Sequence, residues 1–206
     1  MNDFFKILTI CSITLMTTKS NAQEKFTTYD NTYGEKTYEI QISSKDKEKF
    51  SLYIDAMSLD SNHSKGGITI DQKQHQDFLN AIAEAKIKYE EWVNTAKEND
   101  VKELDKTMTI KSKAGAYFLY GNKWNFQNFV NLKYDFKIIE SKGEIKYLLL
   151  LKTGKLQSSS NQFMKVDGFV FVFSSTKEVD DFTNAISSEK ITEFMNKPKK
   201  EALFKD

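Results

Sequence analysis

The sequence predicts an α+β fold: a mainly antiparallel β-sheet with two amphipathic helices packed on it. Three observations lead there. Apolar residues alternate at strand period over much of the chain. Two stretches instead carry apolar residues at helical spacing, each behind a capping residue. Aromatic residues make up 13% of the 206 residues, with a single Pro, so a packed core is within reach.

Gln23 to Gly34 is polar and rich in Tyr and Thr, and reads as a loose lead-in. Thr37 to Ser43 places Tyr38, Ile40 and Ile42 on one face of a strand. A charged turn, Ser44 to Lys49, leads to a second strand, Phe50 to Leu59, with Leu52, Ile54 and Ala56 opposite Tyr53, Asp55 and Met57. Gly66-Gly67 opens a short strand, Ile68 to Ile70.

The longest helix is expected from Asp71 to about Asn99. Phe78, Ile82, Ala85, Tyr89, Trp92 and Ala96 form its apolar stripe, and Asp71 with Gln74 forms a capping box. Extended segments follow at Thr107–Lys111, Ala114–Tyr120, Trp124–Glu140, Glu144–Lys152 and Phe169–Phe173. Gly121-Asn122 makes a tight hairpin turn. Leu148 to Leu151 is apolar on both faces and belongs centrally in the sheet. Ser158 to Gln162 interrupts the pattern as a polar loop, and a second helix is expected from Thr176 to Asn196, with Pro198 stopping it.

Residues 1–22 read as a signal peptide: Lys6, an apolar stretch from Ile7 to Met16, and small residues at Ser20 and Ala22 before Gln23. The apolar stretch is about half of the roughly 20 residues a membrane-spanning helix needs. Residues 23–206 are expected to form one globular α+β domain, exported to the periplasm or secreted from a bacterial cell. Removing the leader takes Asp3, Lys6, Lys19 and Cys11 away and leaves 28 Lys against 28 acidic residues. A cysteine-free exported chain must rely on its core. No stable membrane span is expected after cleavage.

The two helical stretches share a motif. Asp77-Phe78-Leu79-Asn80-Ala81-Ile82 reappears 104 residues later as Asp181-Phe182-Thr183-Asn184-Ala185-Ile186. The capping positions align as well, Asp71 with Ser175 and Gln74 with Glu178. The repeat points to diverged halves at about 35–99 and 104–198.

Composition narrows the function. All 30 basic residues are Lys, so the planar fork that reads phosphates and base edges is missing, and the net charge is only +1. No nucleic-acid partner is expected. Ser44-x-x-Lys47, Lys152-Thr153-Gly154 and Ser159-Ser160-Asn161 imitate serine β-lactamase fragments but run in the wrong order. His63 and His75 are the only histidines; His75 aligns with Val179 in the repeat, and Asp71 is occupied as a cap. No catalytic residue, cofactor or metal site is therefore expected.

The expectation is a non-enzymatic exported domain that binds a protein, peptide or glycan in the envelope or outside the cell. The alternatives are a small hydrolase with a carboxylate site and a structural envelope component. The candidate ligand surface is Tyr117, Tyr120 and Trp124, near the Gly121-Asn122 turn, with Ser158, Ser160 and Asn161 alongside. Aromatic faces next to amides and hydroxyls suit a glycan or peptide.

Overall fold

The computed structural model describes residues 23–46, 49–63, 65–141 and 143–197. The expected signal peptide, Lys47 and Pro198 lie outside them. The chain begins as a hairpin, β1 (Glu24–Asn31) and β2 (Lys36–Asp46). The expected loose lead-in is thus corrected to a strand. Its backbone groups pair with β2, and Tyr29 joins the core, stacked on Tyr38 at 5.5 Å and edge-on to Phe182 at 5.0 Å. Neither pairing is visible in the polar local pattern of the segment. The turn is held by Gly34 N, which donates to Asn31 Oδ1 at 2.9 Å.

β3 (Lys49–Asp55), β4 (Met57–Ser58) and β5 (Gly66–Asp71) come next, then α1 (Gln72–Glu98). The expected strand Phe50–Leu59 is therefore two short ones, separated at Ala56. The second half holds β6 (Leu104–Thr107), β7 (Ser112–Tyr120), β8 (Lys123–Ser141), β9 (Glu144–Lys152), the small pair β10 (Leu156–Gln157) and β11 (Lys165–Val166), and β12 (Phe169–Phe173). The expected strand Thr107–Lys111 falls earlier, as β6, because its partner is the far half of β8 at Asp135–Ile138.

The main sheet is antiparallel and runs β1-β2-β3-β5-β7-β8-β9-β12-β4. Since β4 follows β3 with only Ala56 between, the path returns to the strand it left, and the sheet closes into a ring. β8 is its spine. Its first half pairs with β7, and its second half lies between β9 and β6. A bulge opposite Gly115 shifts the register inside the β7-paired half of β8, before the strand passes to β9 at Lys133.

The helices cover one face of this curled sheet. α1 buries Phe78, Ala81, Ile82, Ala85 and Tyr89, with Trp92 half-buried at the margin. Asp71 caps it with the expected box, its carboxylate accepting from Lys73 N and Gln74 N at 3.0 Å. Tyr89 ties the helix to the sheet by donating to the carbonyls of Tyr147 and Ser174. Burial pushes its hydroxyl up to about 12.

The second helical stretch is α2 (Thr176–Ala185) and α3 (Ser188–Asn196) rather than one helix. Ile186 ends α2, and Ser187 turns extended and caps α3, accepting from Lys190 N. A serine that satisfies a free N–H competes with helix continuation. Phe78, Ile82, Phe182 and Ile186 are all essentially fully buried. Leu148 and Leu150, with Val170 and Val172, form a second small apolar cluster on the other face of the sheet.

Candidate functional site

Strand register assembles a polar and aromatic row on the face turned away from α1. Asp55 pairs with Gly67, Gly67 with Tyr117, and Tyr117 with Phe126. Directly paired residues share a face. Their chain neighbours Ile54, Ile68 and Ala116 point the other way, into the core, each at most 1% exposed. Leu119 pairs with Trp124, which adds Trp124 to the same face.

Gly67 is the gap in that row. With no side chain there, the Tyr117 hydroxyl passes across β5 and donates to Asp55 Oδ1 at 2.5 Å. A Cβ on Gly67 would fall 1.9 Å from the Ile54 carbonyl oxygen, so the close approach of β3 admits only glycine. Tyr53 meets the Tyr117 ring edge-on at 5.6 Å, and Trp124 meets it tilted at 5.7 Å. Tyr117 is left 7% exposed, while Trp124 is 51% and Phe126 44% exposed.

These side chains line a groove of about 580 Å³. The Trp124 and Phe126 rings lie on the β8 side; Lys36, Glu39 and Gln41 belong to β2. Asp55 and Lys65 also line it. Burial raises the Asp55 carboxyl above its ordinary value, and the charge of Glu39 adds to this, while the Tyr117 hydrogen bond, Lys36 and Lys65 oppose it. The Tyr117 hydroxyl is raised by its own burial and then by the Asp55 charge, so it remains a donor. Lys36 sits over the Tyr38 ring, its Nζ 5.1 Å from the centroid. The arrangement offers a solvent-facing aromatic wall beside a carboxylate held in place from behind.

The structure divides the surface expected from sequence into three places. Tyr117 and Trp124 share the groove. Tyr120 lies on the opposite face of β7, half-buried and stacked on His63 at 4.5 Å. Ser158, Ser160 and Asn161 line a separate open hollow with Gln127 and Gln157. Their loop is anchored where Ser159 N donates to the Phe126 carbonyl at 2.8 Å. Gln127 and Phe126 project to opposite faces of β8, so hollow and groove are neighbours along the strand but open on different sides. Ser158 is itself buried and bonded to the Ser160 hydroxyl at 3.1 Å.

Asp55, Gly67, Phe126, Lys36 and Lys65 were not among the expected site residues. The one sequence signal for Asp55 was its place on the polar face of its strand, beside Tyr53. The lactamase-like fragments are engaged elsewhere. Lys152 pairs with the buried Asp135 carboxylate, and the Thr153 hydroxyl accepts from Phe169 N at 3.0 Å. His75 is buried, with Nε2 2.7 Å from the Ile186 carbonyl oxygen. His63 Nδ1 lies 3.1 Å from Asp60 Oδ2. Among the described residues no three His, Cys, Asp or Glu side chains converge as a metal site, and no helix is long and apolar enough to cross a membrane.

Compared with known proteins, the chain matches no family model, no curated sequence and no solved structure, so the geometry of the groove alone carries the functional reading.

Proposed function

We propose that this is an exported, non-enzymatic domain that binds a protein segment, peptide or glycan through the Asp55–Tyr117–Trp124 groove. One observation carries the reading: Trp124 is half exposed on a sheet face where its neighbour Tyr117 is buried and hydrogen-bonded to Asp55. Leaving a large aromatic ring in water beside a fixed carboxylate has no benefit to the core, and it suits a ligand with both apolar and polar faces. The leader-like residues 1–22 support an encounter in the envelope or outside the cell.

The test is retention. Immobilised residues 23–206 and a Trp124→Ala variant are exposed to an envelope extract separated into protein and polysaccharide fractions. A component held by the wild type and lost by the variant, at unchanged melting temperature, is the expected result. Equal retention by both would overturn the groove as the binding site.

A second reading, a small hydrolase, has one observation in its favour: the raised Asp55 carboxyl near Glu39, as a general acid beside a second carboxylate would be. New reducing ends or new amino termini released from the retained component, and not released by Asp55→Asn, would favour it over simple binding.

A further inference from the structure

We propose that the groove takes an uncharged glycan, with a sugar ring against Trp124 and a sugar hydroxyl on the free oxygen of Asp55. The inference rests on the binding reading above and narrows its ligand.

The first argument is the backbone. A peptide gains most from main-chain bonds to an open sheet edge. At Gly67 and Tyr117, β5 and β7 are paired on both sides. Only Lys36–Glu39 of β2, which pair with β1 and lie beyond the β3 register that starts at Ile40, leave main-chain groups on the far rim of the groove. The outer edge of β8 at this level is occupied by Ser159, whose N donates to the Phe126 carbonyl and whose Oγ accepts from Asn128 N. Recognition around Trp124 and Tyr117 has to come from side chains on the sheet face, which is how a chain of hydroxyl-bearing rings is held.

The second argument is charge. Lys36 and Lys65 balance Glu39 and Asp55 around the groove. A phosphate or an acidic polymer would find no net positive field and no Arg fork. A cationic ligand would meet Lys36, already seated over Tyr38. A neutral ligand meets neither obstacle.

The third argument is the anchor. Tyr117 holds Asp55 Oδ1, and among the described residues Oδ2 has no hydrogen-bond partner. A carboxylate fixed on one oxygen has little orientational freedom left to lose when the other accepts a ligand hydroxyl. Gln41, whose amide donates to Glu39 Oε1 at 2.7 Å, adds further polar atoms along β2. Trp124 and Phe126, two residues apart on one strand face, put two ring platforms about 7 Å apart along the groove.

The experiment uses residues 23–206 and follows the indole N–H signals of the two tryptophans by NMR, Trp92 on α1 serving as the internal control. The probes are the neutral hexamers of glucose, mannose and N-acetylglucosamine, and an uncharged Ala/Ser hexapeptide. The expected result is a saturable shift of Trp124, but not Trp92, with at least one hexasaccharide. Asp55→Asn and Tyr117→Phe should each weaken it at least tenfold while the spectrum stays folded. No shift with any sugar, a shift with the peptide alone, or sugar binding unaffected by both variants would each overturn the glycan assignment. The groove reading itself stands or falls separately, on whether Trp124→Ala loses the retained envelope component.

Discussion

The Tyr117 hydroxyl donates to the Asp55 carboxylate across an intervening strand, over a glycine that leaves the path open. The bond joins residues 62 positions apart and places a partly buried negative charge at the wall of a groove. Such a charge is costly to the fold and useful to a ligand.

Asp55→Asn should therefore separate stability from binding. The folded state holds the Asp55 carboxyl above its ordinary value, so its contribution to stability is full below the unfolded value, near 3.9, and is lost as pH rises through the folded value. The asparagine variant keeps an acceptor for Tyr117 and has no charge to bury. Its melting temperature at pH 7 should equal or exceed that of the wild type. A clear fall would show that the charged form stabilises the fold.

Gly67→Ala should fail for a different reason. The added methyl would lie 1.9 Å from the Ile54 carbonyl oxygen, a backbone atom in a paired strand. Relief requires β3 and β5 to separate. A loss of about 3 kcal/mol or more in chemical denaturation is expected, at the upper end for overpacked sites. A loss under about 1 kcal/mol would show that the strands can part.

His75 should make the protein acid-sensitive. Burial holds its imidazole below the ordinary value of about 6.5, against a smaller opposing effect of the Ile186 carbonyl. The neutral ring is the folded form. Its contribution is present above the unfolded value and lost as pH falls through the folded one. Melting temperature should drop below pH 6.5 more steeply in the wild type than in a folded His75→Gln variant. Parallel curves would remove His75 from the account.

The repeated Asp-Phe-x-Asn-Ala-Ile motif is proposed to mark two diverged copies of one unit. In both stretches three neighbouring antiparallel strands precede the helix that carries the motif, β2-β3-β5 before α1 and β8-β9-β12 before α2. Phe78→Ala and Phe182→Ala should each cost about 3–5 kcal/mol, because both rings are fully buried. A cost under 1 kcal/mol at one of them would show that the two positions are not equivalent.

Export is checked on the protein from its own cell. Amino-terminal sequencing or mass spectrometry of material from outside the cytoplasm should find Gln23, or its pyroglutamate, at the start. Full-length chain confined to the cytoplasm would remove the leader reading.

Much of the fold can be read along the chain because its determinants are local. Phe169–Phe173, the span of α1, the Asp71 capping box and the hairpin at Gly121-Asn122 follow from periodicity and from side chains within a few residues of the backbone they satisfy. The break at Ser187 is also local: its side chain caps α3 by accepting from Lys190 N. β1 could not be read, since its order comes from β2 beside it and from Phe182 against Tyr29.

The site divides in the same way. Sequence alone singles out aromatic residues around the Gly121-Asn122 hairpin and alternates them between two faces. Which face meets the helices, and what stands beside it, depends on register between strands far apart in the chain. That register sets Asp55 across Gly67 from Tyr117, covers Tyr117 with Tyr53 and Trp124 while Trp124 itself stays half in water, and sends Tyr120 to His63. A one-residue slip in any of these pairings would exchange the faces, and only the packing of the whole core against α1 forbids it.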